Sequence, residues 1–134
     1  MTVAIRDAIV ARVDPLFRAA YPDLMLVHDN QPFDRSVLPE RWVEFTIEFD
    51  EAEQATIAVT SPRTRQRGCV HVDIYSRAGL GSRAGLQIIE WFVMLLAYER
   101  VGAAQFKVPQ QSPANTAEGW YRQSLALPFF ADIA

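Results

Sequence analysis

The chain has 134 residues, of which half are apolar, 11% aromatic and 22% charged, and it carries a net charge of −3. Residues 1–134 fit a single domain that hides roughly two-thirds of its unfolded surface, and this balance excludes an intrinsically disordered chain. The acidic pI near 5.3 excludes a protein whose main task is gripping nucleic acid, the lone Cys69 excludes an internal disulfide framework and fits synthesis in a reducing cytoplasm, and no apolar run reaches membrane-spanning length.

Thr2 is placed to cap an opening amphipathic helix in which Ile5, Ile9, Val13 and Leu16 recur at helical spacing. Asp14-Pro15 predicts a kink or break late in that helix, because proline lacks an N–H and disfavours helical geometry at the residue before it. Tyr21-Pro22 predicts the helix end. Leu24 to Val27 reads as a brief strand running into the turn-forming Asp29-Asn30-Gln31-Pro32, and Asp34 to Arg41 as loop. Trp42 to Phe49 gives the clearest strand signal: Val43, Phe45, Ile47 and Phe49 alternate with Trp42, Glu44, Thr46 and Glu48, so one face is expected buried and the other wet.

A second β segment is expected around Ala55 to Val59, and a third over Cys69 to Tyr75, where Val70, Val72 and Ile74 share a face opposite Cys69, His71, Asp73 and Tyr75. Ser82 is positioned to cap a helix running to about Arg100, with Leu86, Ile89, Phe92 or Val93, and Leu96 inward and Gly102 as its stop. Phe106 to Gly119, polar and rich in proline, reads as an extended loop. A last strand, Trp120 to Phe130, contains Pro128, which belongs at a strand end or on an edge. Together these elements predict an α+β fold: a mainly antiparallel sheet of about four to five strands packed against an N-terminal helix and one long helix.

Little in the chain points to bond-making chemistry. Cys69, His71 and Asp73 share a strand face, but structural zinc sites draw four ligands from paired short motifs, and His28 is the only other histidine. No serine nucleophile elbow, phosphate-cradling glycine loop or metalloprotease helix is found. Gly79-Leu80-Gly81 reads as a strand-to-helix turn. No catalytic residue, metal or cofactor is therefore expected. Two features suggest contact surfaces instead. Arg63, Arg65 and Arg67 alternate in Ser61 to Gly68, read as a hairpin tip that is either a solvated turn or a contact to an acidic neighbour or DNA phosphate. Leu127 to Phe130 either folds back on the core or, through Phe129 and Phe130, pairs with the next subunit.

The order of several short motifs resembles the tail-terminator proteins of tailed phages, the family of the lambda tail protein U and its relatives in Mu-like phages, prophages and gene transfer agents. These motifs are the amphipathic start Ile5 to Val13, Asn30-Gln31-Pro32-Phe33, Gly68 leading into Val72-Asp73-Ile74-Tyr75, Ala78-Gly79-Leu80-Gly81, and Trp120-Tyr121-Arg122 followed by Leu127-Pro128-Phe129. The chain differs from those relatives in a longer, more charged stretch, Asp34 to Arg41.

The resemblance implies a non-enzymatic virion protein at the neck-proximal end of the tail. It would form a homo-oligomeric ring, a hexamer, that caps the tail tube, stops its polymerisation and offers a surface for head-tail joining. Its implied partners are its own copies, the tail tube protein and a head-tail connector or stopper protein, with DNA passing through the lumen without sequence-specific binding and no membrane. The alternatives are a head-completion or neck connector protein and, from another class, a small ligand-binding α+β domain or enzyme.

Overall fold

The computed structural model describes residues 2–29, 40–55 and 63–133. Helix α1 spans Thr2–Ala20 and buries Ile5, Ile9, Val13 and Phe17, a strict spacing of four that leaves Leu16 45% exposed. The inward residue of the last turn is thus Phe17 and not Leu16. The helix also runs through Pro15 without ending there. The carbonyl that Pro15 cannot serve belongs to Ala11, which is exposed and open to water, so the missing donor is tolerated. At its end, the Tyr21 N–H still donates to the Phe17 carbonyl.

Three strands of 14 residues each form the frame: β2 (Arg41–Gln54), β3 (Thr64–Arg77) and β7 (Trp120–Ile133). β3 lies between the other two and is antiparallel to both, with Val72 opposite Phe45 on one side and Leu125 on the other. β1 (Met25–His28) adds to β2 in parallel, which makes the sheet mixed. β4 (Arg100–Val101) and β5 (Ala104–Phe106) form a small hairpin turning at Gly102, and β6 (Gln110–Ala117) pairs with β7. The order is β1-β2-β3-β7-β5-β4, with β6 beside β7. The α+β class holds, but the described residues contain seven strands where four to five were expected.

The excess comes from β4 and β5, which follow the helix, and from β6, in the segment expected to be loop. All eight residues of β6 are exposed, so no burial alternation marks it, and Pro113 sits where its register shifts between Ser112 and Asn115. Its strand character comes from pairing. Glu118 (φ 55°) and Gly119 (φ 81°) both take the left-handed conformation of a two-residue type I′ hairpin and return the chain directly into β7. Pro128 is likewise not at an end or edge: it lies inside β7 opposite Cys69. Its carbonyl accepts from the Lys107 N–H, so its absent N–H faces the gap where β5 gives way to β6 and no ladder donor is needed.

Helix α2 (Arg83–Leu96) stops short of Arg100. Ala97 leaves helical geometry and Tyr98 takes φ 63°, after which the Glu99 carbonyl accepts from the Phe106 N–H and draws the chain into β4 and β5. Gly102 therefore turns a hairpin and does not stop the helix. The Ser82 side chain makes no cap bond; its carbonyl accepts from Leu86 and from Gln123 Nε2. Leu86 is 38% exposed, while Gly85, Ile88, Ile89, Phe92 and Leu96 are buried.

Both helices cover one face of the sheet, where Val43, Phe45, Val70, Val72, Ile74, Leu125, Leu127 and Phe129 meet Ile5, Ile9, Val13, Phe92 and Leu96. Phe17 joins the two helices: its ring lies 5.6 Å from Trp91 and 5.8 Å from Phe92. Gly68 is required on β3 where the ring of Phe129, its partner on β7, lies over it, because a Cβ there would lie 2.5 Å from Phe129 Cζ and 2.7 Å from the Glu48 carbonyl. Among the described residues no helix is long and apolar enough to cross a membrane. The motif Asn30-Gln31-Pro32-Phe33, residues 34–39 of the loop expected over Asp34 to Arg41 and the β segment expected over Ala55 to Val59 lie outside the described residues, apart from Ala55, whose N–H bonds the Arg63 carbonyl; Arg41, expected in that loop, opens β2.

Candidate functional site

The sheet face turned away from the helices carries the side chains that alternate with the core: Trp42, Glu44 and Glu48 on β2, Arg65 to Tyr75 at every second position on β3, and Trp120, Arg122 and Phe130 on β7. This face was expected to be wet. Trp42 is fully buried on it nonetheless, because its ring stacks on Tyr75 at 4.7 Å and 4° and meets the edge of Trp120 at 4.5 Å. The Arg77 guanidinium sits 4.9 Å from the Trp120 ring centre.

A cavity of about 330 Å³ opens beside this cluster, lined by Trp42, Tyr75, Asn115, Ala117, Glu118, Trp120 and Arg122. Register explains the assembly: Trp42 is opposite Tyr75, Tyr75 opposite Arg122, and Arg122 opposite Asn115 across four strands. Burial pushes the Tyr75 phenol up; a hydrogen bond from Arg122 pulls it down, while the charge and hydrogen bond of Glu44 push it up. Arg122 is held more firmly cationic by that bond to Tyr75. The site thus combines an aromatic floor, a fixed cation and a carboxylate, Glu118, whose left-handed backbone is uncommon outside glycine and asparagine. Such a set binds and orients; none of its members is poised as a nucleophile beside a base. In the sequence the signal was Trp42, a tryptophan on the face that alternation assigned to water.

The residues singled out from sequence are placed differently from one another. Arg65 and Arg67 lie inside β3 and not at a hairpin tip. Arg65 donates from Nε and Nη2 to both carboxylate oxygens of Asp132, at 2.7 and 2.8 Å, and Arg67 donates to Glu53 Oε1 at 2.6 Å. The alternation that suggested a free basic tip is therefore a row of cross-strand ion pairs, with Arg63 at its edge and Ser61-Pro62 outside the described residues. Phe129 is 2% exposed, 5.4 Å from the Phe106 ring, and offers no surface. Phe130 points the other way, half-buried beneath Arg65 at 4.4 Å and Lys107 at 5.3 Å.

Cys69, His71 and Asp73 do share a face, but each is engaged separately. His71 Nε2 is 3.2 Å from Glu48 Oε2, and Ser124 Oγ donates to Asp73 at 2.6 Å. Burial pushes the Cys69 thiol up to about 11, which holds it as an unreactive neutral thiol near pH 7. Among the described residues no three histidine, cysteine or carboxylate side chains group as a metal site would require.

No family model and no curated sequence matches the chain. A solved structure is similar with a TM-score of 0.72, covering 100% of this chain and 96% of the other at 18% identity. At that identity the likeness speaks for the fold alone.

Proposed function

We propose that this chain is a tail-terminator subunit that acts by self-association and makes or breaks no bond. In this reading six copies close into an annulus that caps the tail tube, halts its growth and presents a surface to the head-tail connector, while DNA passes through the lumen. The observation that carries it is the convergence of the segments bearing the resemblance. Gly68 lies under Phe129, Tyr75 faces Arg122, and the Ala78 N–H donates to the Gly119 carbonyl at 2.9 Å. Motifs scattered through the second half of the chain thus meet along the seam of β3 and β7, with Gly68 and Phe129 toward one end and Tyr75, Arg122 and Gly119 at the other, beside the aromatic cavity. A surface of aromatic and arginine side chains is also the composition enriched where proteins bind proteins.

Electron microscopy of the purified protein, alone and mixed with polymerising tail-tube protein, tests the assignment. Rings and tubes of fixed, capped length are expected. Unaltered tube growth refutes it, and binding to portal or capsid with tubes left open points to a neck connector.

A further inference from the structure

The surface at the end of α2 exposes large apolar side chains. Tyr98 is 68% exposed and Met94, one turn earlier, 83% exposed. Tyr98 is held at φ 63°, a left-handed conformation that is strained for an aromatic residue. The backbone around it is firmly tied: Gln105 Nε2 donates to the Tyr98 carbonyl at 3.1 Å, Glu99 N–H to Leu96 at 3.0 Å, and Phe106 N–H to Glu99 at 2.9 Å. The turn therefore displays Tyr98, Glu99 and Arg100 in sequence, all exposed.

We infer that this turn docks in the cavity beside Trp120 of a second copy of the chain, and that this contact, repeated, closes the ring. The inference rests on the ring assignment above. The two surfaces are complementary in kind and in charge. The phenol of Tyr98 meets the aromatic wall of Tyr75 and Trp120 in a space of about 330 Å³. The Glu99 carboxylate meets the Arg122 guanidinium, and Arg100 meets Glu118. Acid then base on the turn thus faces base then acid on the rim.

Position selects a second copy as the occupant. The turn joins α2 to β4, which pairs through β5 with the Phe129–Ala131 end of β7, whereas the cavity lies at the Trp120 end of that strand, so they cannot meet within one subunit. A contact between two different patches is head-to-tail, the geometry that closes rings. Among the described residues, the exposed β6 edge is poorly suited to strand pairing. Pro109 and Pro113 and the irregular register at Ser112 interrupt its ladder.

Charge exchange with a size readout tests this. Glu99→Arg and Arg122→Glu should each weaken association about tenfold or more by sedimentation velocity over a dilution series, and the double variant should recover most of the loss. Tyr98→Ala should weaken association to a similar degree, and Tyr98→Phe much less. Thermal melts confirm that each variant folds. Wild-type rings unchanged by all four substitutions overturn the seat and leave the ring assignment standing. A two-fold dimer also overturns the seat, and a wild-type chain that stays a single subunit and caps no tubes overturns both.

Discussion

Replacing Gly85 by alanine sets two effects of known sign against each other. Alanine favours a helix interior by about 1 kcal/mol over glycine. In this fold, however, Gly85 is where α2 rests on β7, and a Cβ there would lie 1.7 Å from Gln123 Oε1 and 2.6 Å from its Cδ. The Gln123 amide is 3% exposed and donates to the Ser82 carbonyl at 3.2 Å, so it cannot swing into water. Displacing it forfeits a buried hydrogen bond of about 1 kcal/mol and strands an amide at about 1–3 kcal/mol, or else lifts the helix at the overpacking cost of about 1–3 kcal/mol. Steric loss wins, and Gly85→Ala should destabilise by about 1–3 kcal/mol, lowering Tm by about 3–6 °C per kcal/mol at this chain length. Urea unfolding of Gly85→Ala, Gln123→Ala and the double variant measures it. In the Gln123→Ala background the methyl should be neutral or stabilising. A single Gly85→Ala variant at least as stable as wild type would refute the docking described for α2.

Gly68→Ala should cost about 1–3 kcal/mol, since both neighbours of the new methyl, the Phe129 ring and the Glu48 carbonyl, are fixed in the sheet; an unchanged urea midpoint contradicts this. Pro15→Ala should stabilise α1 by about 1–3 kcal/mol by restoring a donor to the Ala11 carbonyl, and a lowered Tm would show that the proline is instead needed. Cys69 should resist iodoacetamide in the folded protein near pH 8 and label readily only as the pH approaches about 11 or on unfolding; rapid labelling at pH 8 refutes the burial argument. The hydrogen bonds and charge of Arg65 hold Asp132 below the usual carboxylate range. The pair therefore adds stability above the unfolded carboxylate value and loses it as pH falls through the lower folded value. The Tm gap between wild type and Asp132→Asn should narrow on acidification, and a gap that widens would reverse the sign.

One-sided burial made the long strands readable. Where Val43, Phe45 and Ile47, or Val70, Val72 and Ile74, alternate with polar residues, period two is imposed by the core itself and the sequence records it. β6 leaves no such record because none of its residues is buried; it is a strand through backbone pairing and the geometry at Glu118-Gly119. α1 was recognisable, but whether Pro15 would end it depended on whether Ala11 faced water, a tertiary fact. The same holds for the site. Phe129, a candidate contact in the sequence, is buried by the packing of Phe106 against it, and the partners of Arg65 and Arg67 depended on register with Asp132 and Glu53. Trp42 was visible as an anomaly; that Tyr75, Trp120 and Arg122 gather around it required knowing that β7 lies beside β3.

The position of β7 also governs when the domain can acquire its shape during translation. The last of the described strands, Trp120–Ile133, is inserted mid-sheet between β3 and the β5 and β6 segments. Until those residues have cleared the ribosomal exit tunnel, β3 keeps one bare edge and Val70, Val72 and Ile74 lack their β7 neighbours Leu127, Leu125 and Gln123. Pairing such as Thr64 with Ile133 spans a long loop and is intrinsically slow. A nascent chain that has not yet delivered Trp120 and Arg122 thus holds an incomplete pocket.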